Sequence, residues 1–339
     1  MSLSTPPRNC GDHASTYHWD TIREFADPTE RVKKLVFTQS DCVAESTLYG
    51  SRSYEEHTIV CCSTMSGCPI GCRFCGSGDF FIRKLSASEI VSQAQYILEN
   101  CIDGIDPTCI QKLDIRVMSM GEPLLNTSLW QAFHYLHALY PHATLQISTS
   151  APDIDWSWVL DMSVAIPSVA LQFSVHESTN QARDALIPFK RKLSLEGIAD
   201  IGIAWHRTTG RRPSFNYCAH GCNVDQADAD RLTGLFPPAI WDATVSVICE
   251  RNEFQRAHNQ HQHILALDFS SKLASRGFKV RIENPPAVET IGGGCGQLWF
   301  VQEWMRAHPS LVRRSVGNSL PARHPSPSRS VQSAADLCV

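Results

Sequence analysis

The sequence predicts an α/β fold in which parallel strands are joined by helices. Two features of the 339-residue chain point to it. Short β-branched runs alternate with amphipathic stretches from residue 58 to residue 282, and 43% of the residues are hydrophobic. Strands that are separated by helices pair in parallel through right-handed crossovers. At this length the chain forms one large domain or two smaller ones.

Each element is predicted from its own local pattern. Short apolar runs bounded by turn residues are typical of strands, and apolar residues three and four apart are typical of helices. The first helix has Ser86 or Ser88 as a candidate cap and Glu89 in its first turn. The predicted strands are Lys33–Thr38, Ala44–Tyr49, Thr58–Cys62, Leu113–Met118, Ala143–Ser148, Ser168–Val175, Ser214–Cys218, Ala243–Cys249 and Lys279–Ile282. The predicted helices are Ser86–Asn100, Thr127–Leu139, Asp155–Met162, Leu193–Ala204, Asp225–Phe236 and Ile264–Ser275.

The two ends of the chain lack such patterning. Residues 1–30 predict a loose arm or short helices. Residues 315–336, rich in Ser, Pro, Ala and Arg, predict a disordered tail. We therefore divide the chain into an N-terminal arm with a β extension (1–57), a core (58–300), and a C-terminal helix with the tail (301–339).

Charge and hydropathy exclude some classes of protein. The net charge of −4 disfavours a dedicated nucleic-acid-binding protein, whose surface is usually basic, although local basic groups occur at 190–192, 207–212 and 313–314. No apolar run is long enough to span a membrane, and the N-terminus lacks the apolar segment of a signal peptide. We expect a monomer in the cytoplasm with no membrane partner.

Three cysteines, Cys68, Cys72 and Cys75, follow one another in the spacing C-x3-C-x2-C. Iron–sulfur clusters are held by cysteine thiolates, and four thiolates saturate a 4Fe-4S cluster. Three thiolates on one loop leave one iron open, and the amine and carboxylate of S-adenosylmethionine (SAM) can chelate that iron. Reduction of the sulfonium then gives a 5'-deoxyadenosyl radical, a chemistry that the cofactor supplies. The spacing predicts a 4Fe-4S cluster used with SAM.

Other uses of the cysteines fit the pattern less well. Zinc sites usually have two C-x2-C pairs or added histidines. A disulfide framework needs an oxidising compartment, which nothing in the sequence indicates. A non-catalytic metal-binding or RNA-binding module that uses the triplet structurally remains the alternative of a different class.

Polar residues recur at the ends of successive predicted strands, where such folds carry their chemistry. Gly121 and Glu122 follow one strand. A glycine lets the backbone approach a ligand, and a carboxylate accepts hydrogen bonds from an amino group. Later strand ends contribute Ser148-Thr149-Ser150, Ser174-Val175-His176 and Asn252. Each alone is typical of a turn or a cap, but their recurrence predicts a binding site.

Two further cysteine positions lie outside the triplet. Cys295 is in a glycine-rich run at 292–296, where a thiol is sterically open and free to move. Cys61 stands seven residues before the triplet with Cys62 beside it. On a strand these two side chains point to opposite faces, so only one of them faces the site.

Together these residues resemble the RlmN/Cfr family of radical-SAM RNA methyltransferases. The resemblance runs from about Glu45 to Leu298, roughly three quarters of the chain, and includes the aromatic Phe74 inside the triplet. The motifs that carry it are Cys61 ahead of the triplet, GEPLLN at 121–126, STS at 148–150, SVH at 174–176, RDALIP at 183–188 and CGQL at 295–298. It implies a partial (β/α)6 TIM-like barrel of the radical-SAM type with a short N-terminal β extension.

The resemblance also implies a role for each residue. Cys295 would take a methyl from one SAM and become S-methylcysteine, and a radical from a second SAM would activate this methyl for transfer to an adenine ring carbon of RNA. Cys61 would then attack Cys295, forming a disulfide and freeing the product, while Glu45 would act as general base. Contacts with SAM are implied for Gly121, Glu122, Ser148, Ser174, Val175, His176 and Asn252.

Substrate and partners follow from the same resemblance. It implies rRNA or tRNA, bound through basic loops such as Arg207–Arg212, and a reducing partner such as flavodoxin or ferredoxin. The family's ribosomal enzymes have a helical N-terminal domain, for which the 44 residues before Glu45 are too few. DNA, a peptide or a small metabolite therefore stays open as the substrate of the same radical chemistry. Carbon 2 and carbon 8 of adenine both stay open as the position of attack.

Overall fold

The computed structural model describes residues 8–9, 17–27, 29, 31–247, 259–288, 290–294, 296–311 and 313–314. The segment 315–336, where we predict a tail, lies outside the described residues. Within them the chain forms one large sheet flanked by helices and a small sheet of three strands.

Strands run through the described chain from its first residues to its last. Those before residue 68 are β1 (Arg8–Asn9), β2 (Thr21–Asp27), β3 (Val32–Gln39), β4 (Cys42–Ser51), β5 (His57–Cys62) and β6 (Met65–Gly67). The others are β7 (Phe80–Lys84), β8 (Leu113–Val117), β9 (Thr144–Thr149), β10 (Val169–Ser174), β11 (Ser214–Ala219), β12 (Asp242–Val247), β13 (Val280–Glu283) and β14 (Arg313–Arg314).

Helices occupy the intervals between the later strands. They are α1 (Ala87–Asn100), α2 (Ser128–Leu139), α3 (Ser157–Ala165), α4 (Asn180–Leu186), α5 (Leu195–Thr209), α6 (Gln226–Leu235), α7 (Asn259–Ala274) and α8 (Trp299–Ala307). The start of α1 is a capping box, as its sequence predicts. Ser86 Oγ accepts a hydrogen bond from the Glu89 N–H at 3.2 Å, and the Glu89 carboxylate accepts one from the Ser86 N–H at 2.7 Å.

The strand order confirms the α/β class. The large sheet runs β1-β2-β3-β4-β5-β8-β9-β10-β11-β12-β13. From β5 onward the six neighbouring pairs are all parallel, and at least one helix separates the two strands of each pair. β1 to β4 extend the sheet in antiparallel fashion, which is the predicted β extension.

The parallel part of the sheet curls toward a barrel. Arg116 on β8 and Glu283 on β13 form an ion pair of 2.7 Å, although the two strands are five places apart in the sheet. In a flat sheet, strands this far apart would be separated by about 24 Å. Within the described residues β13 pairs only with β12, so the barrel is partial, as the resemblance implies.

The two faces of this curved sheet differ sharply in polarity. Side chains alternate between the faces along each strand. The outer face packs against the helices through a large apolar core that includes Ile115, Val117, Ile147, Phe173, Phe215 and Val245. The inner face carries Arg116, Ser148, Ser174, Asn216, Ser246 and Glu283. The interior is therefore a polar chamber instead of a second apolar core.

One segment of the N-terminal arm departs from expectation. We expected a loose arm or short helices over residues 1–30, and this is wrong for β2, which pairs with β3 along its whole length. Its contacts come from distant segments: the Phe25 ring stacks on Phe300 of α8, with ring centroids 3.3 Å apart. A local pattern does not reveal partners so far away along the chain. No helix in the described part of the chain is both long and apolar enough to cross a membrane.

Candidate active site

The carboxyl ends of the parallel strands surround a cavity of about 590 Å³. Its wall brings together most of the residues that the sequence singled out. Those lining it are Glu45, Cys61, Cys68, Cys72, Cys75, Gly121, Glu122, Ser148, Ser174 and His176. The chamber inside the curled sheet is therefore continuous with the predicted site.

The triplet loop forms one side of the cavity. The Cys68 N–H donates to Phe80 O of β7 at 2.8 Å, and the Cys75 N–H donates to Cys72 O at 3.1 Å. Gly67, just before the loop, has φ of +78°, and a Cβ there would lie 2.2 Å from Phe80 O. Only glycine fits this close approach. The small sheet thereby fixes where the loop begins.

The three thiols suit the cluster that their spacing predicts. Burial and the neighbouring thiols raise the pKa of Cys68 and of Cys72 well above the ordinary value, so their thiolates require a cationic partner. No three His, Cys, Asp or Glu side chains in the described residues are grouped as ligands of a single ion. A cluster does not require such a group, since each thiolate binds its own iron. We therefore take Cys68, Cys72 and Cys75 as the residues that would hold it.

The glycine-rich C-terminal loop lies directly against the triplet loop. The Gly76 N–H donates to Gly296 O at 2.8 Å, and a Cβ on Gly296 would lie 3.2 Å from Cys75 Sγ. Gly294 and Gly296 both line the cavity. Cys295, which stands between them, lies outside the described residues. The Gln297 side chain spans this position by accepting a 2.8 Å hydrogen bond from the Gly294 N–H.

The two adjacent cysteines of β5 face opposite sides, and the structure decides between them. Cys61 lines the cavity, whereas Cys62 is fully buried in the apolar core beneath the helices. Burial raises the pKa of the Cys61 thiol to about 12, while the Arg116 guanidinium pulls that pKa down. Cys61 is a free thiol in this structure, so the disulfide that the resemblance implies for one stage of the reaction is not formed here.

Glu45 lies on β4 at the same cavity wall and is 1% exposed. Its Oε1 accepts a 2.6 Å hydrogen bond from Lys34 Nζ of β3. Burial raises the pKa of Glu45 above its ordinary value, and the Lys34 ammonium acts in the other direction. Lys34 is not predicted from the sequence, because a lysine on one strand and a glutamate on the next carry no shared motif.

Glu122 connects two of the predicted motifs. Its carboxylate accepts hydrogen bonds from Thr149 Oγ1 at 2.5 Å, from the Ser150 N–H at 2.8 Å and from Ser150 Oγ at 2.7 Å. Burial raises its pKa, and these donors oppose that effect. Beside it, the buried Arg183 guanidinium donates to Ser150 O at 2.7 Å and to Ser174 O at 3.2 Å. The GEPLLN, STS, SVH and RDALIP motifs are therefore one hydrogen-bonded unit.

His176 faces the cavity with a defined tautomer. Its Nδ1 accepts a hydrogen bond from the Cys218 N–H at 3.3 Å, which leaves the proton on Nε2. The imidazole packs edge-on against Phe74 of the triplet, with ring centroids 5.0 Å apart. Burial, followed by the charges of Arg183 and His220, lowers the pKa of His176 to about 3.

Some predicted SAM contacts do not reach the cavity or cannot be located. The Val175 side chain is fully buried in the apolar core, so only its backbone is near the site. Asn252 lies outside the described residues. Asn216 and Cys218 on β11 are further cavity residues that the sequence does not predict. Neither residue belongs to a motif. Only their alternate positions on β11, which face the cavity, could have indicated them.

The basic loop at 207–212 has a structural role at the other end of the sheet. Arg211 donates to Pro167 O at 2.6 Å and to Val169 O at 2.5 Å, and Arg212 bonds the Asp242 carboxylate at 2.8 Å. These groups lie where β10 and β12 begin, whereas the cavity opens where the strands end. RNA binding by these two arginines stays a prediction.

Comparison with known proteins finds similar RNA methyltransferases. No family model matches the chain. A probable dual-specificity RNA methyltransferase RlmN from Clostridium novyi is 24% identical over 291 residues, covering 82% of this chain and 79% of the relative. Another from Prochlorococcus marinus is 28% identical over 296 residues, with the same two coverages. A dual-specificity RNA methyltransferase RlmN from Acidiphilium cryptum is 27% identical, covering 79% of this chain and 70% of the relative.

This chain is similar to the RlmN proteins. The predicted resemblance is confirmed over about four fifths of its length. A crystal structure of a radical SAM methyltransferase from Sphaerobacter thermophilus superposes with a TM-score of 0.68 at 23% identity, over 86% of this chain and 81% of the other. That likeness confirms the predicted fold. The names of the RlmN relatives support the predicted enzyme class, a SAM-dependent methyltransferase.

Proposed function

We propose that this RlmN relative is a radical-SAM methyltransferase that adds a methyl group to a ring carbon of adenine, carbon 2 or carbon 8, in rRNA or tRNA. The observation that carries the proposal is the shared cavity. Its wall includes the triplet, Cys61, Glu45, and the two glycines on either side of Cys295. A merely structural metal site has no need for two further cysteine positions and a carboxylate around one chamber.

The cofactors would be held by the residues that line the cavity. Cys68, Cys72 and Cys75 would bind the 4Fe-4S cluster, which, together with SAM and an electron from a flavodoxin or ferredoxin, supplies a 5'-deoxyadenosyl radical. The backbone at Gly121, the carboxylate of Glu122 and the hydroxyls of Ser148 and Ser174 would hold SAM, with Val175 offering its backbone. His176 would donate from Nε2 to a ribose or carboxylate oxygen, because its other nitrogen is already an acceptor. Asn252 remains a predicted contact.

The chain's own reacting groups would be two thiols and one carboxylate. Cys295 would carry the methyl as S-methylcysteine and bond the substrate carbon through it. Glu45 would take the proton from that ring carbon, and the electron pair of the broken C–H bond would stay with the ring. The bound cluster would supply the acceptor for the unpaired electron that the radical addition leaves on the adduct. The Cys61 thiolate would then attack the Cys295 sulfur, so that an S–S bond forms. The released carbon would keep the electrons of the broken C–S bond and take up a proton to become the methyl group.

An RNA substrate is favoured by the relatives' names and by the basic residues near the cavity mouth. Arg73 of the triplet loop is exposed, and its N–H donates to Leu186 O at 3.0 Å. Phe189 packs in a small cluster with Cys72 and Phe74, and exposed Lys190 and Arg191 follow it. Phosphates attract such side chains without reading sequence.

A reconstitution experiment tests the proposal. The protein, anaerobically loaded with iron and sulfide, is incubated with dithionite, SAM and unmodified rRNA, tRNA, DNA or peptide extracts, and nucleosides are analysed by mass spectrometry. We expect 5'-deoxyadenosine together with methyladenosine from RNA. Methylation of DNA or peptide alone would overturn the RNA assignment. Absence of 5'-deoxyadenosine from cluster-loaded protein would overturn the radical chemistry itself.

A further inference from the structure

Lys34 is a buried cation in the wall of the catalytic cavity. It is 1% exposed, lines the cavity, and its Nζ lies 2.6 Å from Glu45 Oε1. Among the described residues Glu45 is its only acidic partner. Lysine is rarely buried to this degree without a specific reason. The Lys34–Glu45 pair lies in the same cavity wall as Cys61, which is on β5, the strand next to that of Glu45.

Among the described residues, two of the three oxygens of Glu45 accept hydrogen bonds, and the third does not. Its main-chain oxygen accepts hydrogen bonds from Ser63 Oγ at 2.6 Å and from Ser119 Oγ at 2.7 Å. Lys34 holds Oε1. Within the described part of the chain, Oε2 has no hydrogen-bond partner, although it is buried. A buried carboxylate oxygen without a donor is costly, so an oxygen kept in this condition is a positive sign of a ligand or substrate group.

We propose that Lys34 is a positioning residue: it keeps Glu45 ionised and pins Oε1, so that Oε2 is the oxygen left to receive a proton from the substrate carbon. The inference rests on the proposed function, in which Glu45 removes that proton. The step moves one proton onto Oε2 and leaves the electron pair of the C–H bond in the ring. The unpaired electron of the adduct leaves separately, to an iron–sulfur acceptor.

The physical reason lies in the cost of burying a charge. A carboxylate taken out of water without a partner becomes neutral, and a neutral carboxyl cannot accept the proton. The groups facing Glu45 from the neighbouring elements are few. Lys34 on β3 is the charged group that acts on Glu45, while Cys61 on β5 and Tyr49 farther along β4 line the same cavity. Arg116 on β8 also lines the cavity, but it is paired with Asp114 and Glu283. Loss of Lys34 therefore removes the cation that lowers the pKa of Glu45.

A purely structural role explains the pair less well. Replacing a buried ion pair by apolar residues of similar volume is often neutral or stabilising, so stability alone is a weak reason to keep one. Lys33, next along β3, shows the contrast: it faces away, lies 3.5 Å from Glu24, and does not line the cavity. The buried pair is instead turned toward the reacting groups.

Two measurements on Lys34→Met, Lys34→Arg and the control Lys33→Met test the proposal. The first is the infrared band of a protonated carboxyl, assigned to Glu45 by its loss in Glu45→Gln and followed against pH without any substrate. We expect Glu45 to be ionised at neutral pH in the wild type, in Lys33→Met and in Lys34→Arg, but protonated in Lys34→Met. A Glu45 that is protonated in the wild type at neutral pH, or ionised in Lys34→Met, overturns the proposal.

The second measurement is the pH profile of methyladenosine release in a single turnover with rRNA or tRNA transcripts. In Lys34→Met the acid limb of the pH profile should move to higher pH. On that limb, release at a given pH should be slowed about ten-fold for every pH unit of the move. The formation of 5'-deoxyadenosine should be unchanged. Lys34→Arg should restore the profile. A limb that stays in place overturns the proposal. If the wild type methylates nothing, the proposed function fails, and the infrared titration still decides the role of Lys34.

Discussion

The Gly76 N–H donates a 2.8 Å hydrogen bond to the carbonyl oxygen of Gly296. This bond joins the residue after the last triplet cysteine to the residue after Cys295. Two segments from opposite ends of the core are thereby in direct contact at the cavity. The contact accounts for glycine at 296, where φ is +80° and a side chain would press on Cys75.

Substituting Gly296 by Ala should loosen this contact. An L-residue with positive φ costs about 1–2 kcal/mol, and the new Cβ would lie 3.2 Å from Cys75 Sγ. We expect lower thermal stability and less iron bound per chain after anaerobic reconstitution. Gly221→Ala is the matched control, since a Cβ there meets no atom within 4 Å. Equal iron content in the two variants would contradict the account of the loop contact.

The two adjacent cysteines should respond differently to the same substitution. Cys61→Ala removes the thiol that faces the cavity, so a covalent protein–RNA adduct should accumulate and be visible as a band shift that RNase reverses. Cys62→Ala removes a core thiol instead and should turn over normally, at a stability cost of roughly 1 kcal/mol. An adduct in the Cys62 variant, or none in the Cys61 variant, would reverse the assignment of the two thiols.

His176 should make the protein less stable in acid. Its pKa is 6.5 when unperturbed and about 3 in the folded state, so the unfolded state binds the extra proton between these values. The stability that it contributes is complete above pH 6.5 and is lost as the pH falls toward 3. His176→Asn keeps an acceptor for the Cys218 N–H without titrating. The wild type should therefore lose up to about 1.4 kcal/mol more per pH unit in denaturant titrations. If the free energy of unfolding falls with pH at the same slope in both proteins, His176 is not the source of the acid sensitivity.

The exposed Lys190 and Arg191 should contribute to RNA binding. Reversing both charges, Lys190→Glu with Arg191→Glu, should weaken binding about ten-fold at low salt and flatten the salt dependence, because phosphate contacts are lost. Arg207→Glu is the control. It is exposed near the end of α5, just before β11 begins and so away from the strand ends that carry the cavity. Equal losses of RNA affinity in the two variants would contradict RNA binding at the cavity mouth.

Much of the parallel core was predictable because its signals are local. The strand that ends at Cys62 and the helix capped by Ser86 both stand where alternation and capping predict them. The cavity was predictable for the same reason: in parallel units the strand ends meet at one edge, so motifs after strands converge.

What escaped prediction depends on contacts between distant segments. β2 is covered by Phe300 of α8, and the short β6 and β7 have little alternation of their own. Lys34 and Arg116 are polar residues at inward positions, which a single sequence does not distinguish from surface charges. The contacts of Arg211 and Arg212 with main-chain carbonyl groups likewise have no signal in a cluster of charges.

The measurement that tests the central claim most directly is mass spectrometry of the peptide that contains Cys295, from protein produced with its cluster and SAM. If the triplet loop and the glycine-rich loop serve one chamber, the wild type should carry a single methyl group on Cys295, and Cys72→Ala should carry none. An unmodified Cys295 in protein that still releases 5'-deoxyadenosine from SAM would contradict the account.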